Sequence, residues 1–339
     1  MDAKERTLLN AIQNNFPIAV HPYWLLGEMA GITEDDAFRR IQKLRQEGII
    51  RRLGGVFDSR RLGYYSTLCA GKVPEDKISL LAHLLEKIPG VTHNYIRDHS
   101  YNVWFTLIAR SYSAAEHILQ TIRKETGLTD IFTLPASRVF KINVNFDFDP
   151  AIDEVDQEET INSGKQGRIG EHKEEVSPYK LSSEEIELIR IIQGNLPDSP
   201  TPFTVLADQL QWPVDKVIAL ANHLLEVKII RRFGAVLRHQ KAGFVANVMG
   251  VWQVDPDQAD KVGQIMAKFK EVSHCYQRPT LPDWPYNLFT MIHGRTSEDC
   301  EEIMKKISLT TGVKTYAMLS SIVELKKSSM QYFLEEEVY

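Results

Sequence analysis

The sequence predicts an internally duplicated α+β protein, in which each half is a winged helix-turn-helix domain followed by a ferredoxin-like β-α-β-β-α-β domain. Two observations support this fold class. Apolar residues follow a helical period at the start of the chain and then give way to alternating strand-like and helix-like segments. The same order of segments returns about 180 residues later.

Matched motifs carry the duplication. The segment IIRRLG at 49–54 returns as IIRRFG at 229–234, and VTHNYIR at 91–97 returns as VSHCYQR at 272–278. The motifs keep the same order in both halves, which chance does not explain. A period this long is typical of a duplicated domain pair rather than of a solenoid.

The first domain of each half is predicted from three helices and two strands. In the first half, the helices are expected at residues 3–15, 22–31 and 33–47. The third helix begins after Thr33, an N-cap residue that three acidic residues follow, and it ends at Gly48. Two strands, near 49–57 and 64–73, are expected to pair as the hairpin of the wing.

The second domain of each half has the element order of a ferredoxin-like fold. In the first half its strands and helices are expected at 64–73, 76–88, 91–97, 102–110, 112–125 and 130–145. Helices cover one face of such a sheet, so we expect the other face to be free for a partner or a flat ligand.

These assignments divide the chain into five parts. The stretch between the halves is charged and has almost no apolar periodicity, which is typical of a flexible linker. The predicted parts are a winged helix-turn-helix at 1–63, a ferredoxin-like domain at 64–150, the linker at 151–180, and second copies of the two domains at 181–243 and 244–339.

The composition argues against several classes of protein. A formal net charge of −5 gives no overall attraction to nucleic acid or to an anionic membrane, so anion binding has to depend on local clusters of cations. Cys69, Cys275 and Cys300 lie too far apart in sequence to suggest a zinc site or a disulfide framework. The polar N-terminus and the lack of a long apolar run predict a cytoplasmic protein that does not enter a membrane.

Histidine, tyrosine and arginine alternate at matching places in both halves. Side chains two residues apart on a strand share one face, so each set is expected to form a single surface. A histidine exchanges protons near neutral pH, and an arginine fork holds carboxylates. We therefore predict catalytic roles for the histidines and tyrosines and substrate binding for the arginines. The sets are His93, Tyr95 and Arg97 in the first half, and His274, Tyr276 and Arg278 in the second.

Arginine pairs in the predicted wings are further candidates for binding anions. They are Arg51 and Arg52 in the first half, and Arg231 and Arg232 in the second. The first pair also fits an alternative, in which both are solvated strand residues. Beyond the wing, Arg238-His239 in the second half replaces Asp58-Ser59 of the first, which changes the local charge by about two units or more. This exchange predicts the more anion-friendly pocket in the second half.

Four more side chains are candidates for the wall of a binding site. Trp284 and Tyr286 flank a proline in a polar loop, where aromatic residues favour contact with a ligand over a place in the core. Asn287 follows them directly, and His99 has no counterpart in the second half.

Two families resemble this chain. The domain order and the segment at 49–63 are similar to the leucine-responsive/asparagine-regulator family of transcription factors. The stretch VTHNYIRDHSYNVWFT at 91–106 resembles one subunit of siroheme decarboxylase. The segments RRFGAVLRH at 231–239 and HCYQRP at 274–279 resemble the other subunit.

The resemblance to siroheme decarboxylase implies a carboxy-lyase with its two subunits fused in one chain. It implies removal of two acetate carboxyl groups from siroheme, giving didecarboxysiroheme for heme d1 synthesis or for an alternative heme route. It implies no organic cofactor, with iron entering only as part of the substrate. Siroheme and its product are the expected ligands, other heme-pathway enzymes are candidate partners, and the halves are expected to form an intramolecular pseudo-dimer or a higher oligomer.

The residues leave two questions open. His93, His274 or His239 can protonate the product carbon, and His239 or His274 can instead be an axial ligand of the substrate iron. A tetrapyrrole- or amino-acid-sensing regulator is the alternative function. We expect DNA not to be the main partner, because the helix at 33–47 is basic whereas the matching helix at 213–227 offers a single lysine.

Overall fold

The computed structural model describes residues 1–142, 178–238 and 246–334. In the first half the elements are α1 (Ala3–Asn14), α2 (Pro22–Ala30), α3 (Glu34–Gln46), β1 (Ile50–Phe57), β2 (Tyr65–Gly71), α4 (Glu75–Lys87), β3 (Val91–Arg97), β4 (Val103–Ala109), α5 (Tyr112–Thr126), β5 (Ile131–Leu134) and β6 (Arg138–Ile142). In the second half they are α6 (Ser183–Ile192), α7 (Pro202–Leu210), α8 (Val214–Glu226), β7 (Ile230–Leu237), β8 (Ala246–Trp252), α9 (Ala259–Lys268), β9 (Val272–Gln277), β10 (Leu288–Gly294), α10 (Ser297–Thr311) and β11 (Tyr316–Lys327).

The duplicated α+β class is confirmed, and the helix-turn-helix elements begin where the sequence predicts. Thr33 caps α3 by accepting a hydrogen bond from the Asp36 amide, and a capping box starts both α1 and α6. The two three-helix units share one hydrophobic core, in which Phe16 of the first contacts Phe233 of the second.

The wing strands pair between the halves rather than within them. We expected 49–57 and 64–73 to form a hairpin, but β1 pairs antiparallel with β7 in a two-stranded ribbon, and β2 belongs to the large sheet. Gly54 and Gly234 face each other at the middle of the ribbon. A β-carbon at either position would overlap a backbone oxygen at the end of a helix, which explains glycine at both places.

The remaining strands form one nine-stranded sheet in the order β5-β2-β4-β3-β11-β8-β10-β9-β6. Each half keeps the ferredoxin-like order, and antiparallel strand exchange joins the halves. β11 pairs with β8 of its own half through its first residues and with β3 of the other half through its last. The strand predicted at 130–145 is divided, because β5 pairs with β2 whereas β6 crosses to β9.

The helix-free faces of the two half-sheets pack against each other. A shared core between them contains Trp104 of the first half and Trp284 of the second, with ring centroids 5.2 Å apart. The expectation of a free sheet face is therefore wrong in this central region, because the other half covers it. Two further cores lie between the sheet and the helices.

Some sequence predictions fall outside the described residues. They include most of the linker at 151–180, the end of the strand at 130–145, and His239. Within the described ranges, no helix is long and apolar enough to cross a membrane. The three cysteines are buried and unpaired, and no cluster of three or more histidine, cysteine or acidic residues could hold a metal ion within those ranges.

Candidate functional site

The alternating residues of β3 and β9 form two stacked columns. The first column is His93, Tyr95 and Arg97, and the second column is His274, Tyr276 and Arg278. The histidine and tyrosine ring centroids are 6.4 Å apart in the first column and 5.9 Å apart in the second. The arginine Cζ lies 5.3 Å from the tyrosine ring centroid in the first and 4.8 Å in the second. Each set therefore shares one face, as its alternation predicts.

The arginines at the inner ends of the columns bind the backbone of the opposite half. Arg97 Nη1 donates to the Leu319 carbonyl over 2.8 Å, and Arg278 Nη1 donates to the Leu134 carbonyl. Burial lowers the pKa of each arginine to about 10. These two cations hold the halves together, and their predicted role as substrate ligands stays a prediction.

The histidines line the site as neutral imidazoles. Burial lowers the pKa of His93 to about 4 and, together with His293 and Arg231, that of His274 to about 3. Both histidines are partly exposed as whole residues. His93 also contributes to the lowered pKa of His274, so the two columns act on each other electrostatically.

Only one arginine of each wing pair lies near a column. Arg51 acts electrostatically on His93 and Tyr95, and Arg231 acts on His274 and Tyr276. Arg231 is exposed, and no partner for its guanidinium lies among the residues that the structure describes.

The second arginine of each pair stabilises the fold. Arg52 Nη1 donates to the carbonyls of Gly55 (2.9 Å) and Gln193 (2.6 Å), and Arg232 Nη1 donates to Ala235 O (3.0 Å) and Gln13 O. Burial lowers the pKa of both to about 10. Neither the Arg52 nor the Arg232 guanidinium is solvated. The predicted contact of both residues with substrate stays a prediction.

Arg238 lies beside the start of β1, in the first half of the chain. Because β1 and β7 are antiparallel, the residue after each strand meets the start of the other: Arg238 N donates to Ile49 O, and Asp58 N donates to Ile229 O. Burial and, to a smaller extent, Arg238 lower the pKa of Arg51, whereas Asp58 pairs with Arg60 and its pKa is lowered by Arg60 and then by Arg231. The predicted role of Arg238 in the second-half pocket stays a prediction.

Glu324 makes the columns unequal. The Tyr95 hydroxyl donates to Glu324 Oε2 over 3.1 Å, and burial together with this carboxylate raises the pKa of Tyr95. The strand neighbour of Tyr276 is instead Val139, and within the described ranges no group pairs with the Tyr276 hydroxyl. In the described part of the chain, the second column thus offers an unpaired hydroxyl within electrostatic reach of Arg231. Sequence reasoning missed Glu324 because β11 brings it in from the other half.

The predicted wall residues lie at the other end of β3 or in the core. Trp284 is 1% exposed and belongs to the shared core, so it is not a surface of an open pocket. His99 packs its ring 5.2 Å from that of Trp284, and its Nδ1 accepts a hydrogen bond from the Tyr101 amide. Tyr286 is partly exposed, with its ring 5.0 Å from Trp284.

Asn287 has a structural position. Its Oδ1 accepts from the Val254 amide over 2.9 Å, and its Nδ2 donates to the Val254 carbonyl over 2.8 Å. Asn102 makes the same pair of bonds to Val73 in the first half. These hydrogen bonds occupy the side-chain amides of both asparagines. The predicted substrate contact of Asn287 stays a prediction.

The basic side chains of α3 are paired with acids. Arg39 binds Asp35 over 2.9 Å and Arg40 binds Asp36 over 3.0 Å. The other two pairs are Lys43 with Glu5 and Arg45 with Asp198. These partners reduce the positive charge that α3 could present to a phosphate backbone.

Comparison with known proteins gives two family matches, each in both halves. A profile described as the AsnC-like ligand binding domain matches residues 61–141 and 241–326. A profile described as the siroheme decarboxylase NirDL-like HTH domain matches residues 5–51 and 185–231.

Individual relatives cover nearly the whole chain. The siroheme decarboxylase of Hydrogenobacter thermophilus is 36% identical over 97% of this chain and 95% of its own length. The beta subunit of the Desulfovibrio desulfuricans enzyme is 45% identical over 46% of this chain and 98% of its own length. Crystal structures of the siroheme decarboxylase NirDL, free and in co-complex with an iron-uroporphyrin III analogue, match with TM-scores of 0.73 and 0.72. Both are 32% identical and cover 98% of this chain and 95% of theirs.

Proposed function

We propose that this chain, which belongs to the siroheme decarboxylase family, removes the carboxyl groups of two acetate side chains of siroheme and releases didecarboxysiroheme. The observation that carries the proposal is the second column, where the His274 ring and the Tyr276 hydroxyl, which no described residue pairs with, are within electrostatic reach of the exposed Arg231. The solved relative that binds an iron-uroporphyrin III analogue supports a tetrapyrrole as the ligand. The product would serve heme d1 synthesis or an alternative route to heme.

The charges around the columns suit this substrate. Siroheme has apolar faces and a rim of carboxylates, so its site needs cations at the edge and rings at the face. In the proposal Arg231 binds carboxylates above the second column, and Arg51 and Arg238 bind carboxylates above the first. Tyr276 donates a hydrogen bond to the acetate group that reacts.

The chemistry then needs a proton donor and a place for electrons. When the bond between the acetate methylene and its carboxyl group breaks, carbon dioxide leaves and the electron pair spreads into the macrocycle, so the proposal requires no organic cofactor. His274 protonates the methylene carbon from Nε2, which gives a methyl group. General acid catalysis by a positioned histidine contributes about 10²–10⁴-fold to such a step.

A ligand-sensing regulator is the second candidate, because the AsnC-like ligand binding profile matches both halves. Its weakness is the DNA-binding face. All four basic residues that the sequence places on α3 have acidic partners, so this helix has few free donors for DNA.

Anaerobic mixing of the purified protein with siroheme tests the proposal. The expected results are a shifted Soret band on binding and a pigment whose mass falls by two carbon dioxide molecules. A shifted band with unchanged pigment mass would contradict the decarboxylase assignment and favour the sensor. Binding of a labelled DNA library, measured in parallel with and without siroheme, separates the two functions directly.

A further inference from the structure

A hydrogen-bonded chain leads away from the back of His274. Its Nδ1 lies 3.0 Å from Ser273 Oγ, and the same oxygen lies 3.0 Å from His293 Nε2. Ser273 is 6% exposed, whereas His293 is less deeply buried. The chain therefore runs from the site-lining imidazole, through one buried hydroxyl, to a second imidazole on β10.

The first half has only the beginning of such a chain. Thr92 Oγ1 lies 3.0 Å from His93 Nδ1, so a hydroxyl occupies the place of Ser273. The position that matches His293 is Ile108, since β4 and β10 align residue for residue through their pairing with β3 and β9. A side chain that cannot carry a proton ends the path there.

We propose that Ser273 and His293 are a proton relay that resupplies His274 during decarboxylation. The inference rests on the proposed function, because it assigns residues to a step of that reaction. Each carboxyl group removed as carbon dioxide consumes one proton at the carbon left behind. The relay gives the second column a source of that proton which the first column lacks.

In the proposed relay each proton moves one step toward the reacting carbon. His274 Nε2–H gives its proton to the methylene carbon as the carbon–carboxyl bond breaks. Ser273 Oγ–H passes its proton to His274 Nδ1, and His293, which carries a proton on both ring nitrogens before the step, passes its Nε2 proton to Ser273 Oγ and is left as a neutral imidazole. His274 begins and ends the step as a neutral imidazole, with its proton moved from Nε2 to Nδ1. In the emptied site His274 Nε2 takes a proton from solvent while its Nδ1 proton returns through Ser273 to His293, which restores all three groups.

Two properties of the surroundings favour this route. His274 is neutral in the unliganded protein, so it holds one proton, and losing that proton without replacement would leave an imidazolate. The Ser273 hydroxyl also contacts the Met291 carbonyl over 3.2 Å. That carbonyl fixes the side-chain orientation in which both imidazoles are in reach.

The test compares variants that break the relay at different points. Ser273→Ala removes the hydroxyl and His293→Ile installs the residue of the first half. Both are expected to bind siroheme with the wild-type Soret shift and to decarboxylate it about 10- to 100-fold more slowly, within the range of general acid contributions. Ser273→Thr, which copies Thr92, is expected to recover the rate lost in Ser273→Ala.

Two readouts separate a relay from a structural role. Added imidazole is expected to restore turnover in His293→Ala, and the solvent deuterium isotope effect on turnover is expected to rise in Ser273→Ala and His293→Ile. Thr92→Ala, the matched change in the first half, is expected to leave that isotope effect as in the wild type. Wild-type rates in both relay variants, or slow variants without imidazole rescue and without a changed isotope effect, would overturn the relay. A wild-type protein that leaves siroheme intact would instead overturn the proposed function.

Discussion

Replacing Trp284 with alanine is expected to lower the free energy of unfolding by about 4 kcal/mol. The side chain is 1% exposed, and its ring centroid lies 5.2 Å from those of Trp104 and Tyr101. A buried tryptophan removes about 150–250 Å² from water. At about 25 cal/mol per Å² this area corresponds to about 4–6 kcal/mol, and measured Phe or Trp to Ala changes in cores cost about 3–5 kcal/mol.

Equilibrium unfolding in urea, followed by circular dichroism, measures the loss. Trp24→Ala is the matched control, because Trp24 is 51% exposed on α2 and its replacement is expected to cost less than about 1 kcal/mol. The reasoning is refuted if Trp284→Ala unfolds like the wild type and fails only to bind siroheme. That outcome would indicate that Trp284 lines the ligand site, as the sequence predicted.

Two further predictions concern the column histidines and the arginine pairs of the wings. Stability is expected to fall as the pH drops from about 6.5 toward 4, because burial lowers the pKa of His93 to about 4 and of His274 to about 3, so the unfolded chain binds protons that the folded chain does not. At pH 5 each histidine accounts for about 2 kcal/mol of this loss. His93→Gln is expected to remove the contribution of His93, which urea unfolding measured across this pH range would show. An unchanged pH dependence of stability in His93→Gln would contradict the burial argument. Arg52→Ala is expected to cost about 1–3 kcal/mol of stability because its hydrogen bonds to three backbone carbonyls are lost, while the Soret titration with siroheme stays as in the wild type. Arg231→Ala is expected to weaken siroheme binding about 10-fold or more with stability unchanged. A reversal of these two outcomes would refute the division of the wing pairs.

Local patterns in the sequence predict most of the elements. The caps of α1, α3 and α6 are encoded by a few neighbouring residues, and the ferredoxin-like order follows from the alternation of strands and helices. The pairing of β1 with β7 does not follow from local pattern, because the two strands are far apart in sequence. The local pattern is equally compatible with a hairpin of β1 and β2, which are neighbours in sequence. Gly54 and Gly234 become informative only when their positions against helix ends are known.

The candidate site was likewise predictable where local pattern determines it and not where the two halves meet. The columns were predictable because side chains two apart on a strand share a face. The same rule separates Arg51 from Arg52, since neighbouring residues of a strand point to opposite faces. Arg238 and Glu324 were not predictable, because each acts on residues of the other half and reaches them through strand exchange.

Single-turnover decarboxylation by His274→Gln, measured beside His93→Gln under anaerobic conditions, tests the assignment of the reaction to the second column most directly. His274→Gln is expected to shift the Soret band of siroheme as the wild type does and to leave the pigment mass unchanged over many wild-type half-times. His93→Gln is expected to keep releasing carbon dioxide. Wild-type mass loss in His274→Gln, or its abolition only in His93→Gln, would contradict the account.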